Sequence, residues 1–199
     1  MKHVVFSAVV VSSATLVGSI IFSIAHPAMS VWPIPHENER AWRVRLIVHR
    51  VVGMLVALIG VGALALAILD RGTLHLPASL RWLVGPAILG FGASFGLWGY
   101  LRLGASASQG ALASLEASGP YRYSRNPQYV GAVGVLLGFA LLCASELGLL
   151  AGAAFSIWFV TAPFAEEAWL RRQLGARYDD YVESSPRYLG LPRQGRGAA

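Results

Sequence analysis

The sequence predicts an all-α, polytopic membrane protein: five transmembrane helices, the last two joined as a C-terminal hairpin, and a short cytoplasmic helix after them. Three observations carry the prediction. Of 199 residues, 55% are hydrophobic and only 13% charged, whereas a soluble domain carries about 25% charge. Five apolar stretches reach or approach the roughly 20 helical residues that cross about 30 Å of hydrocarbon. The basic residues fall unevenly among the segments joining those stretches. The same composition excludes a disordered chain, a coiled coil and a nucleic-acid-binding module. The formal charge is +6, and every basic residue except Lys2 is an arginine. The single cysteine, Cys143, excludes an intrachain disulfide and a multi-cysteine metal site.

The first stretch, Val4 to Ala25, carries no charge. Lys2 and the small residues near Ala28 resemble a signal peptide. Its apolar core, however, exceeds the usual signal core of about 7–15 residues, so a retained helix is expected. Val51 to Leu69 and Trp82 to Leu101 are also uncharged. Ahead of the second helix, Asn38 to Arg50 reads as an amphipathic or helix-initiating segment to which no chemistry is assigned. Tyr129 to Ala144 is short, and Leu147 to Ala165 follows after Ser145-Glu146. A single long helix would carry Glu146 at mid-membrane, where a charge is costly. A tight hairpin avoids that. The spans take about half of the chain, which leaves one membrane domain over 1–199. Helices one to three lie within 1–118, and the hairpin with the C-terminal helix lies within 119–190.

Arginine placement predicts orientation, because short cytoplasmic loops collect basic residues. Segments 26–50, 102–128 and 166–199 share one face and hold 13 of the 16 basic residues, Arg40, Arg43, Arg45 and Arg50 among them. Lys2, Arg71 and Arg81 fall on the other face. The N-terminus is therefore expected outside and the C-terminus in the cytoplasm. Glycines add packing information. Gly92, Gly96 and Gly99 stripe the third helix, and Gly131, Gly134 and Gly138 stripe the fourth. Small residues at this spacing let backbones touch, so helix packing is expected, with a sliding path for a flat ligand as the alternative. His26, His36 and His49 lack metal-ligand spacing, and no P-loop, nucleophile elbow or His-Glu-x-x-His signature occurs.

Two polar blocks are expected at the cytoplasmic surface. One runs from Gly119 through Tyr121-Arg122-Tyr123-Ser124-Arg125-Asn126-Pro127 to Tyr129 and Gly131. The other starts at Glu166-Glu167 and runs past Arg171, Tyr178 and Tyr181 to Arg187. The hairpin brings both to one surface. Each part also has a plain structural reading. Asn126-Pro127 suits an N-cap and first helical position. Glu167 and Arg171 have i, i+4 ion-pair spacing. Tyr121, Tyr123, Tyr129 and Trp169 suit an interfacial aromatic belt. Glu166-Glu167 resists such a reading, because adjacent carboxylates repel and need compensating charge or hydroxyls.

Together the blocks resemble the superfamily of isoprenylcysteine carboxyl methyltransferases and phospholipid methyltransferases. The shared pattern is Gly-x-Tyr, Arg-Asn-Pro-x-Tyr-x-Gly, a helical hairpin, Glu-Glu, a short Tyr-x-x-Tyr helix and an arginine near proline. It spans Gly119 to Arg187. The resemblance implies S-adenosylmethionine as methyl donor, held by Tyr121, Arg125, Asn126, Pro127, Tyr129, Gly131, Glu166 and Glu167. Carboxylates suit the donor's ribose diol and ammonium; an arginine and a helix N-terminus suit its carboxylate. Aromatic faces suit its sulfonium. Arg187 and Tyr181 are implied for the acceptor, a lipophilic molecule or lipid reached from the bilayer. Thr161 to Ala165 lacks the arginine that many carboxyl methyltransferases of the group carry, and Asn126 stands where others have histidine. Two other classes compete: an NADPH-dependent enzyme like the sterol reductases, and a non-catalytic membrane subunit or transporter with Glu166-Glu167 as a cation site. Against the transporter, no charged residue crosses the predicted spans.

Overall fold

A computed structural model describes residues 1–26, 39–104 and 115–193, without the side chains of 39–46 and 49. His36, Ala28 and Asn38 lie outside the described residues, as do the side chains of Arg40, Arg43, Arg45 and His49. Six α-helices are described: α1 Lys2–Ala25, α2 Glu39–Leu69, α3 Gly85–Leu103, α4 Pro127–Cys143, α5 Glu146–Leu174 and α6 Ala176–Ser184. A π-helical turn, Leu80–Val84, leads into α3, and a 3-10 turn, Gly119–Arg122, precedes α4. Four helical segments are long and apolar enough to cross a membrane: Lys2–Ala25, Arg50–Leu69, Leu80–Leu103 and Glu146–Leu174. The fifth, Pro127–Cys143, is apolar but shorter, at 17 residues.

The five expected apolar helices are all present, with two differences in extent. The segment ahead of Val51 continues as helix back to Glu39. Helix α5 runs on past Ala165 to Leu174, because Ala, Glu, Leu, Arg and Gln all favour helix. Its 29 residues span about 44 Å, more than a hydrocarbon core. Glu166 and Glu167 lie about 30 Å from its start, where such a helix leaves the hydrocarbon.

The expected hairpin forms at Ala144-Ser145. Ala144 takes the left-handed conformation (φ 50°), which stops α4. Ser145 caps α5 by accepting the Gly148 N–H with its side chain. The α2–α3 connection folds onto this tip: Gly72 N–H donates to Cys143 O at 3.0 Å, Leu74 N–H to Ala144 O at 2.9 Å and Arg81 Nε to Leu142 O at 3.1 Å.

Helix α5 is central, packed by α1, α2 and α4, while α3 rests on α4. Its inner stripe of Ala151, Phe155, Trp158, Phe159, Ala162 and Ala165 meets Val9, Leu16, Ile20, Ile59 and Leu66 of α1 and α2. Opposite faces such as Val11, Leu58, Leu97 and Ile157 are exposed, as lipid-facing surface should be. Between α3 and α4 the glycine stripes do what packing requires. A Cβ on Gly92 would lie 2.8 Å from the Gly131 carbonyl oxygen, and one on Gly134 would lie 2.8 Å from Gly92 Cα. That closeness leaves no room between these stripes for a flat ligand.

Candidate functional site

Both polar blocks meet at the end of the bundle opposite the hairpin tip. The first is shaped by a short run of turns. Gly119 sits at φ +56°, a conformation that glycine adopts without strain. Pro120, the second residue of the 3-10 turn, is buried. Ser124, fully buried, accepts the Asn126 N–H on its hydroxyl at 3.0 Å and turns the chain into α4. Asn126 is the N-cap residue and Pro127 the first helical residue, as expected, but the Asn126 side chain caps nothing. Its amide donates instead to the Arg187 carbonyl at 3.0 Å.

The centre of the site is the Glu167 carboxylate, which is 3% exposed. Arg187 approaches it through two nitrogens, Nε to Oε1 and Nη2 to Oε2, both at 2.8 Å. Arg125 approaches Oε1 from the start of α4, with Nη2 at 2.9 Å and Nε at 3.3 Å. Its remaining Nη1 donates to the carbonyls of Val182, at 3.2 Å, and Ser185. A buried carboxylate needs partners of this kind, since removing an ion from water costs several kcal/mol. One carboxylate thus ties the first turn of α4, the last turns of α5 and the segment after α6. Two guanidinium groups face the Glu167 carboxylate, and the neighbouring Glu166 brings a second negative charge to the same end. The Arg125 side chain is 7% exposed, whereas that of Arg187 is 31% exposed. Arg187 also lies over the Phe164 ring, 4.2 Å from its centroid, in cation–π geometry.

Glu166 faces differently. It is half-buried and accepts a short hydrogen bond from the Tyr129 hydroxyl. Tyr129 packs edge-on against Trp158, at 5.8 Å between centroids, and against Phe159 at 5.6 Å. Behind the ion cluster lies a tyrosine layer. The Tyr181 hydroxyl donates to the Tyr121 carbonyl at 2.9 Å, and the Tyr121 hydroxyl to Gly99 O at 3.3 Å. Burial pushes the Tyr121 phenol up to about 12, against a smaller opposing effect of the Gln128 hydrogen bond. Burial raises Tyr178 and Tyr181 as well. These phenols therefore stay protonated at physiological pH, and those of Tyr121 and Tyr181 serve as donors.

Several sequence-based expectations need correction. Glu167 does not pair with Arg171; that arginine reaches Asp179 at 3.1 Å, on the exposed side. Tyr121 and Trp169 are buried and form no aromatic belt, while Tyr123 is exposed. Trp169 Nε1 is buried without a hydrogen-bond partner among the described residues. Gly131 and Pro127 face α3: Gly131 is filled by the backbones of Gly92 and Gly96, and Pro127 packs against Gly99. Tyr181 is 6% exposed and its hydroxyl is spent on Tyr121. Sequence reasoning missed Phe164 and Tyr188, and the acceptor carbonyls of Val182, Ser185 and Pro186. A carbonyl in an irregular segment has no residue-type signature. Among the described residues no group of three His, Cys, Asp or Glu gathers in one place.

The family model for phospholipid methyltransferase matches residues 80–177. The match begins at the turn leading into α3 and ends at the start of α6, so it includes Arg125, the hairpin and both glutamates. Arg187 lies beyond it and enters the site by its contacts alone. No curated protein and no solved structure matches the chain.

Proposed function

With residues 80–177 belonging to the phospholipid methyltransferase family, within the superfamily that also holds the isoprenylcysteine carboxyl methyltransferases, we propose that this membrane protein methylates a lipophilic acceptor with S-adenosylmethionine. The observation that carries the reading is the Arg125–Glu167–Arg187 cluster, which brings the two blocks to one end of the bundle beside Glu166 and Tyr129. The donor set suits such a cofactor. Glu166, half-buried, offers a carboxylate to ribose hydroxyls or an ammonium. The outward edge of Arg187 offers charge to a carboxylate, and the ring of Tyr129 offers a face to a sulfonium. When bound, S-adenosylmethionine supplies a methyl group activated for in-line displacement.

The protein's own part is to hold the reactants in line. Glu167 acts here as a positioning residue: saturated by two arginines, it fixes α4, α5 and the chain after α6 relative to one another. Arg125 belongs to the same frame, and Asn126 steadies Arg187 through its backbone. Glu166 and Arg187 are the groups assigned to ligand. Pro127, Gly131, Tyr121 and Tyr181 shape the wall from behind. An amine or thiol acceptor must lose a proton during transfer; a carboxylate need not. We place the site on the cytoplasmic side and the N-terminus outside, from the uneven arginines. Consistent with one common end, Lys2 and Arg81 both reach the hairpin tip.

Calorimetric titration of S-adenosylhomocysteine into purified protein tests the reading. Saturable heat is expected. Saturable binding of NADPH with no response to S-adenosylhomocysteine would contradict it and favour the reductase-like alternative.

A further inference from the structure

After α6 the chain turns back across the start of α4. Arg125 N–H donates to Pro186 O at 2.8 Å, Gly190 N–H to Tyr123 O at 3.0 Å and Arg193 N–H to Ser184 O at 2.8 Å, and Asn126 holds Arg187 O. Residues 185–193 therefore form a strap fixed along its length. From this strap Tyr188 turns along α5, and its hydroxyl donates to the Val160 carbonyl. Val160 lies seven residues before Glu167, about 10 Å further into the span. Val160 and Phe164 are each 45% exposed, on the outer face of α5. Pro163, in the next turn, lacks the N–H that would serve the Phe159 carbonyl, so the helical ladder is interrupted beside this contact. Tyr188 thus lies against a surface at the depth of the hydrocarbon.

The rest of the strap follows the same surface. Leu189 is 57% exposed and Leu191 82% exposed, on either side of the Gly190 bond to Tyr123, itself 38% exposed. Two leucines left in water would forgo the gain of burying their apolar surface. Arginine, tyrosine and leucine together match the composition of segments seated at a bilayer interface. The strap also continues the lipid-facing surface of α5 through Tyr188 on Val160 and Arg187 on Phe164.

We propose that residues 185–193 dock into the bilayer leaflet on the site's side, with Leu189 and Leu191 at the boundary between headgroups and hydrocarbon. The inference rests on the membrane-spanning reading of α5 and is independent of methyl transfer. Arg187 lies between the buried Glu167 and the exposed Phe164, so the docked strap puts the leaflet one residue from the ion cluster.

Site-directed spin labelling tests this in phosphatidylcholine–phosphatidylglycerol vesicles. Labels are placed at Leu191→Cys, at Ile157→Cys on the outer face of α5 and at Glu183→Cys on α6, each in a Cys143→Ala background. At Leu191 and Ile157 the label is expected to collide more with oxygen than with a water-soluble nickel chelate, and at Glu183 the reverse. A Leu191 label that behaves like Glu183 overturns the proposal. So does one shielded from both relaxants, which would mean protein covers the strap. An Ile157 label that favours the nickel chelate removes the span itself, and the strap with it.

Discussion

Each end of α5 holds a buried carboxylate, and the two are built in opposite ways. At the hairpin tip Asp70, 2% exposed, accepts from the Lys2 ammonium at 2.7 Å, from Thr73 at 2.8 Å, from Ser145 at 3.1 Å and from the Leu147 N–H at 2.9 Å. One cation balances one anion, and neutral donors fill the remaining lone pairs. At the other end Glu167 meets two guanidinium groups and little else. Each cluster has one cation that reaches solvent, Lys2 at 39% and Arg187 at 31% side-chain exposure. The difference lies in the partners: Asp70 takes one cation and neutral donors, whereas Glu167 takes two cations. Beside Glu167 a second carboxylate, Glu166, stands half-buried, and it is this group that the proposed function assigns to ligand.

The largest effect is expected from Glu167→Ala. It leaves two arginines without their counter-ion, one of them buried, and should cost about 3–5 kcal/mol. The loss would be read as a lowered thermal midpoint in detergent, together with lost binding of S-adenosylhomocysteine. Asp70→Asn should cost less, about 1–3 kcal/mol, because the neutral donors keep an acceptor. It should leave ligand affinity unchanged, which separates the two ends.

A pH series sharpens the contrast. Burial alone would raise the Asp70 pKa, but Lys2, the Leu147 N–H, Thr73 and Ser145 together hold it well below the usual carboxylate range. A carboxyl depressed on folding adds stability that is fully present above about pH 4. That stability is lost as pH falls through the lowered folded-state value. The acid limb of the stability profile should therefore flatten in Asp70→Asn, as followed by thermal unfolding from about pH 5 down to about pH 2. The smallest effect belongs to Arg171→Ala, which removes only an exposed pair with Asp179. Less than about 0.5 kcal/mol is expected, with no change in binding.

Hydropathy made the helices legible, and Ser145-Glu146 marked the tip, because the bilayer imposes length and polarity on any span. The glycine stripes were legible for a related reason: two backbones can approach this closely only where both lack side chains. Partner choice was not legible. Glu167 has Arg171 one helical turn away, yet its partners lie 42 and 20 residues off in sequence. Asp70 and Thr73 carry no signal in the sequence, and Lys2 reads there only as an orienting or signal-like charge; folding brings them to Ser145 and Leu147. That the two polar blocks meet was legible in the sequence, while the contacts between them needed the tertiary path. Asn126 looked like a ligand group or a cap and holds a carbonyl; Tyr181 looked like an acceptor contact and supports Tyr121.

We propose that the cofactor binds at the Glu166–Glu167 end of α5 and not at the Asp70 end. Calorimetry of S-adenosylhomocysteine against wild-type, Glu166→Gln and Asp70→Asn proteins in the same bilayer discs tests it most directly. Equal affinity is expected for wild type and Asp70→Asn, and at least about a tenfold loss for Glu166→Gln, or about 1.4 kcal/mol. Unchanged affinity in Glu166→Gln, or an equal loss in Asp70→Asn, would contradict it.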